Sequence, residues 1–149
     1  MAAVMIVDGM TLTIPNWLTI SFALCFLIPA LGLPIAPIII MQNIGVAVTV
    51  LLIGFLLFSL GFLGGGDAKF LAALALWTGW PDILTCLAWI ALTGGALAII
   101  ILLSGSNMVP PAVQNSWPIW KLQKFRKKVP YGIAIGAGGI ASFAKLTIF

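Results

Sequence analysis

The chain has 149 residues and a formal net charge of +4, and 62% of its residues are hydrophobic while 7% are charged. Soluble globular domains average about 25% charged residues, and a soluble core of this size could not hide so much apolar surface, so the composition predicts an integral membrane protein. The chain has three acids (Asp8, Asp67 and Asp82) and no His, which excludes His-based metal sites, Ser-His-Asp triads and Cys-His pairs.

Five apolar segments follow one another along the chain: residues 17–33, 44–63, 70–80, 83–103 and 131–149. A membrane-spanning helix needs about 20 apolar residues. The segment 44–63 is closed by three glycines, and the segment 70–80 would cover only about half of a bilayer core at 1.5 Å per residue. The sequence therefore predicts an all-α, polytopic transmembrane bundle of about five spans, which forms a single domain of residues 1–149.

The two cysteines, Cys25 and Cys86, stand singly inside apolar runs and form no CxxC pair. They are interpreted as small apolar packing residues. With no His and no paired Cys, we expect neither a metal nor another cofactor.

The basic residues predict how the chain is oriented. The polar segment 105–130 is expected to be a basic cytoplasmic loop, because five of the basic residues lie in it: Lys121, Lys124, Arg126, Lys127 and Lys128. Counting spans back from this loop places Asp8 and Asp67 on the cytoplasmic side and Asp82 on the other, with Lys145 toward the far side. The loop mixes bases with aromatic residues, which suits lipid headgroups better than nucleic acid. Recognition of an acidic partner is the alternative.

Asp8 and Asp67 are the two acids that can work as a pair. Two carboxyls held close together share a proton, so that the charged one activates a water as general base and the protonated one donates to the scissile carbonyl. Such a pair hydrolyses a peptide without a metal or a nucleophilic side chain. Taken singly, each acid has a simpler interpretation: Asp67 and Asp82 could cap helices, and Asp8 could be an interfacial acid.

The glycines of GGGDAK (residues 64–69) precede Asp67 directly. Because they lack Cβ atoms, the backbone there can adopt positive φ and another chain can approach closely. An extended substrate strand could therefore lie beside this loop. The phosphate-binding pattern GxxxxGK[ST] is absent, so a nucleotide site is not predicted.

Three motifs resemble those of one family. GGGDAK matches the GxGD motif of membrane aspartyl proteases, in the GxGDxK form of type IV prepilin peptidases. DGMTLTIPNWLT (residues 8–19) is similar to the segment that carries their first aspartate, and VPYGIAIGAGG (residues 129–139) resembles the P-[YF]-G start of their last helix. The motifs occur in the family's order, and the resemblance covers nearly the whole chain. It points to the small form associated with Flp/tight-adherence pilus systems, without the methyltransferase domain of larger members.

The resemblance implies a multi-pass aspartic endopeptidase of the bacterial inner membrane. Its substrates would be prepilins or pseudopilins, whose basic leader is removed at the cytoplasmic face, after a glycine and just before a hydrophobic helix. Asp8 and Asp67 would be the catalytic pair. The other residues implied at the site are Gly64, Gly65, Gly66 and Lys69 in the active-site loop, and Ile14, Pro15, Asn16, Pro130, Tyr131 and Gly132 lining it. The partners implied are the substrate and the lipid bilayer, and the role of Lys69 stays open.

The chain departs from the family at its N-terminal end. Seven residues precede Asp8, where the family places a helix, so the family's first helix is expected to be missing. Residues 9–13 also hold no base, which the family often has there. Two other classes stay open: a non-catalytic small membrane protein, in which the acids handle protons or ions or which serves as an assembly scaffold, and a degenerate peptidase relative.

Overall fold

The computed structural model describes residues 1–11, 13–104 and 131–143, and all the elements in these ranges are helices. They are α1 (Ala2–Thr11), α2 (Asn16–Leu24), α3 (Leu27–Gly32), α4 (Pro37–Ser59), α5 (Gly65–Ser104) and α6 (Tyr131–Phe143). The prediction of an all-α bundle is confirmed. The predicted loop 105–130 and Lys145 lie outside the described residues.

Two helices are long and apolar enough to cross a membrane. α4 has 23 residues, which is about 35 Å of helix, and its most apolar window of 18 residues has a mean hydropathy of 2.3. The most apolar window of 18 residues within 65–99 of α5 has a mean hydropathy of 1.8. In each helix only 17% of the most apolar window is buried, far less than in the core helix of a soluble protein. Leu52 and Phe55 accordingly face outward, as lipid-contacting side chains do.

α5 is interrupted by a kink at Gly79, where φ is +63° and ψ is −170°. This backbone conformation is essentially restricted to glycine. Pro81 follows two residues later, in the first turn after the kink, where a missing N–H costs no helical hydrogen bond. The kink divides α5 into a first segment, residues 65–78, and a second segment, residues 80–104.

The two segments of α5 run in opposite directions. A Cβ on Gly139 of α6 would lie 3.3 Å from Leu74 of the first segment, and a Cβ on Gly138 would lie 2.6 Å from the backbone of Ile90 in the second. Both segments therefore pass the same turn of α6. Sixteen residues of straight helix would separate Leu74 from Ile90 by about 24 Å, so the chain doubles back at Gly79. The predicted division into segments 70–80 and 83–103 agrees with this hairpin, although its first arm begins at residue 65.

The bounds predicted for α4 were wrong at both ends. The helix begins seven residues before position 44, and it ends at Ser59 rather than at the glycines 64–66. Gly61 has φ +79°, and its N–H donates to the carbonyl of Phe58 at 3.0 Å. The N–H of Phe62 donates to the carbonyl of Leu57 at 2.9 Å. These two bonds form a Schellman motif, which ends the helix at this glycine.

The predicted span 17–33 consists of α2 and α3, which meet at a turn at residues 25–26. Pro29 has no N–H to donate to the carbonyl of Cys25, and this carbonyl accepts a hydrogen bond from Ile28 at 3.2 Å instead. Cys25 lies at this turn and is exposed, so its interpretation as a packing residue was wrong. The chain extends after α3 because the residue before Pro34 disfavours helical geometry.

The core lies where α1, α6 and both segments of α5 meet. Phe70, Leu74 and Cys86 are fully buried there, together with Val4 of α1 and Ile135 of α6. Cys86 is thus a packing residue, as predicted. Because the contributions to this core come from both ends of the chain, α1 is held in place by tertiary packing.

We predict that Gly79→Ala lowers the stability of the bundle. A Cβ there would meet the side chain of Asn43 in α4, and the glycine-restricted φ and ψ alone cost about 1–3 kcal/mol for other residues. The measurement is the fraction of protein that stays folded in detergent on heating. Gly95→Ala is the matched control, because a Cβ at Gly95 meets nothing within 4 Å. Equal stability of the two variants would contradict the prediction.

Candidate active site

Asp8 lies on α1 and is only 3% exposed. Its side chain is packed against the first turn of α6, where a Cβ added to Gly132 would lie 2.6 Å from the Asp8 Cγ and 2.7 Å from Oδ2. Position 132 therefore accepts only a glycine while Asp8 keeps this place. The structure thus brings together one residue of the motif DGMTLTIPNWLT and one of the motif VPYGIAIGAGG.

The electrostatic environment of Asp8 combines burial with helix-terminal amides. Asp8 does not lie in a membrane-spanning helix, because α1 has ten residues and is too short to cross a membrane. Burial raises the pKa of the Asp8 carboxyl, and the backbone N–H groups of Gly132 and Ile133, which favour the charged form, offset part of this rise. Within the described part of the chain, Oδ2 has no hydrogen-bond partner. Sequence reasoning missed that the N–H of Ile133 faces Asp8, although the free N–H groups at the start of a helix commonly bind negative charge.

Asp67 is the third residue of α5, and its carboxylate turns back toward the backbone N–H of Gly64. A Cβ on Gly64 would lie 2.6 Å from the Asp67 Oδ2. The prediction that Asp67 could be an N-cap residue needs correction, because α5 begins at Gly65. Asp67 lies in the first turn of α5, and its carboxylate accepts a hydrogen bond from the N–H of Gly64, the residue before the helix. This is the same bond that the acidic residue makes in a capping box.

Asp8 and Asp67 are near enough for their charges to repel each other, although 58 residues separate them in sequence. Each carboxyl faces the N-terminal end of a helix. Asp8 belongs to α1 and faces the first amides of α6, whereas Asp67 lies in the first turn of α5 itself. Asp82 lies at the opposite end of the bundle, three residues after the kink at Gly79. In the described ranges, no three His, Cys, Asp or Glu side chains form a group that could hold a metal ion. The chemistry that this site offers is that of two interacting carboxyls.

Ile14, which belongs to the same motif as Asp8, packs directly on the helix that carries Asp67. A Cβ on Gly66 would lie 3.3 Å from the backbone N and O of Ile14, so the close approach that this glycine permits is made by the protein's own chain. The interpretation that a substrate strand fills this space was therefore wrong at Gly66. Three residues after Gly66, the Nζ of Lys69 donates to the Oδ1 of Asn16 at 3.2 Å. Lys69 thereby ties the segment 14–16 to α5.

The other residues predicted to surround the site take varied positions. Pro15 is the N-cap residue of α2, and Gly65 packs on the ring of Phe58, which a Cβ would approach to 3.2 Å. Tyr131 begins α6 and is exposed. Pro130 lies outside the described residues.

The fold and the site together define a class: a helical membrane protein with a pair of interacting carboxyls at one end of its bundle. The model of the type IV leader peptidase family matches residues 1–100, a range that includes both Asp8 and Asp67. The chain belongs to the type IV leader peptidase family, and the resemblance to prepilin peptidases is confirmed. No curated protein and no solved structure matches the chain.

We predict that Gly132→Ala lowers leader-peptidase activity at least about tenfold, since a displacement of about 1 Å in a reacting group costs up to two orders of magnitude in rate. The added methyl group would displace the Asp8 carboxyl. Cleavage of a prepilin by the purified protein measures the effect. Gly45→Ala is the control, because a Cβ at Gly45 meets nothing within 4 Å. If Gly132→Ala is as active as this control, Asp8 does not depend on the packing at position 132.

Proposed function

We propose that this chain is a membrane aspartic endopeptidase that removes the leader of prepilin-like substrates, with Asp8 and Asp67 as its catalytic pair. The observation that carries the proposal is the convergence of the three motifs on these two acids. Gly64 packs against Asp67, Gly132 packs against Asp8, and the two carboxyls interact. A purely capping role for Asp67 explains neither the burial of Asp8 nor its position against α6.

In the proposed mechanism the pair holds one proton. The charged carboxylate takes a proton from a water as the water oxygen attacks the carbonyl carbon of the scissile peptide. The protonated carboxyl donates its proton to the carbonyl oxygen, which gives a neutral tetrahedral intermediate. The intermediate then collapses: the charged carboxylate takes a proton from one of its two hydroxyls as the C=O bond re-forms, the C–N bond breaks, and the leaving nitrogen receives the proton of the other carboxyl. The pair ends with the one proton that it held at the start.

The proposed location is the inner membrane of a bacterium, with several spans and with the site facing the cytoplasm. Two features support this orientation. Lys69 lies at the same end of the bundle as the two acids, and α6, which follows the basic segment 105–130, begins at that end. A lysine at this end of the bundle and a helix here that follows a basic segment of the sequence are both expected for the cytoplasmic side.

The proposed substrate has a short basic leader, a glycine and then an apolar helix. Family membership supports a substrate of the prepilin type. Two acids at the membrane surface also provide a negative site, which is compatible with a basic segment passing close to it.

We predict that Asp8→Asn and Asp67→Asn each abolish leader removal, because neither variant can hold the charged and the protonated carboxyl at once. Asp82→Asn is the matched control, since Asp82 lies at the other end of the bundle, and it keeps full activity. The measurement is the shift of a co-expressed prepilin on a gel, with membrane insertion of every variant checked by fractionation. Normal processing by the Asp67→Asn protein would instead indicate a non-catalytic or degenerate relative.

We predict that the rate of cleavage falls on both sides of a pH optimum. Burial raises the pKa of Asp8, so the carboxyl keeps its proton to a higher pH than a free aspartic acid, whose pKa is about 3.9. As the pH rises through the upper apparent pKa of the pair, its shared proton is lost and the rate falls. At low pH both carboxyls are protonated, and the general base is lost. A rate that stays constant from about pH 4 to about pH 9 would contradict a two-carboxyl mechanism.

A further inference from the structure

A groove of about 570 Å³ lies beside the site, between α2 and α4. Both helices pack against the first segment of α5, which forms the floor of the groove. Ala72 and Ala73 on this floor are buried and small, whereas Ile20 of α2 and Ile44 of α4, on its walls, are large and about half exposed. The groove therefore opens toward the surface that contacts lipid.

The polar side chains that line the groove are Asn16, Thr19 and Lys69, and all the other lining residues are apolar. Asn16 and Lys69 bond each other at one end. From Lys69 the groove runs along α5 as far as Leu76, seven residues or about 10 Å of helix. That length corresponds to two turns of an α-helix lying in the groove.

The polar end of the groove coincides with the end of the bundle that carries the two acids. Lys69 is two residues from Asp67, and Asn16 follows Ile14, which packs on Gly66. A chain lying in the groove would therefore direct one of its ends toward the two carboxyls.

The charge of the groove selects the part of a substrate that fits it. Lys69 is the one ionisable residue in its lining, so a basic leader would be repelled and an apolar helix would not. The alanine floor allows a helix backbone to approach closely, as small residues do at helix–helix contacts in membranes. The leader would then lie beyond Lys69, on the side of the acids.

We propose that this groove binds the apolar helix of the substrate, with the first two turns after the cleaved bond lying along residues 69–76. The inference rests on the proposed peptidase function. It adds a binding site distinct from the catalytic pair, and this site explains how a substrate with its helix in the membrane presents the bond before that helix to Asp8 and Asp67.

The test compares two substrates of the same enzyme. One is a full prepilin in detergent micelles, and the other is a short peptide that ends soon after the cleaved bond and lacks the apolar helix. Two substitutions fill the groove: Ala73→Leu on its floor and Ala47→Leu on the wall that α4 forms. We expect both variants to raise KM for the full prepilin about tenfold with kcat unchanged, as for lost ground-state binding, and to cleave the short peptide as the wild type does. Ala91→Leu, on the exposed face of the second segment of α5, is the control.

The outcomes separate this inference from the function on which it rests. If Ala47→Leu and Ala73→Leu process the full prepilin with unchanged KM, or slow both substrates equally, the groove does not bind the substrate helix. A KM effect that appears only with one lipid composition in vesicles would assign the groove to a lipid and overturn the proposal. If the wild type cleaves neither substrate, the peptidase function itself fails.

A cross-link gives a second readout that needs no turnover. In an Asp67→Asn protein with Cys25→Ser and Ala47→Cys, a prepilin with one cysteine in the second turn of its helix should form a disulfide with residue 47 when an added thiol oxidant takes up the two electrons. The same protein with Ala91→Cys in place of Ala47→Cys should not. Equal yields at the two positions would overturn the proposal.

Discussion

The arrangement of this protein depends on holding two carboxyl groups together inside an apolar bundle. The charged forms of Asp8 and Asp67 repel each other, and burial disfavours the charged form of Asp8. The bundle offsets both effects with the ends of helices: the first amides of α6 face Asp8, and the Gly64 N–H that precedes α5 faces Asp67. Each helix terminus contributes about 0.3–1 kcal/mol toward a nearby negative charge, and up to about 2 kcal/mol where it is partly buried.

This constraint also explains the glycines. A Cβ on Gly132 or on Gly64 would occupy the place of the Asp8 or the Asp67 carboxyl, so a side chain at either position would displace that carboxyl from its helix-terminal amide. Gly66 leaves room instead for the backbone of Ile14. The glycines therefore act through close contacts between elements rather than by making a loop flexible, and two of the three in GGGDAK lie within a helix.

The sequence allowed the pairing of Asp8 with Asp67 to be predicted, because the charges of the loops and the three motifs agree on it. It could not show how the pair is held. Lys69 and Asn16 are 53 residues apart, and no local pattern connects them. The end of α4 was misplaced because Gly61, one glycine among several, forms the Schellman turn, whereas the GGG run looked like the stronger break. The predicted boundary between the segments 70–80 and 83–103 falls at residues 81–82, whereas the chain turns at Gly79.

The two acids differ in how firmly the fold holds them. Asp67 belongs to the hairpin of α5, whose first turn is packed on α4 through Gly65 and Phe58. Asp8 belongs to a helix of ten residues, which would be only marginally stable in isolation. Its position is therefore set by packing, chiefly of Val4 in the core and of α1 along α6. Any change that loosens α1 from α6 moves Asp8 while leaving Asp67 in place, so the contact between α1 and α6 determines how close the two carboxyls lie.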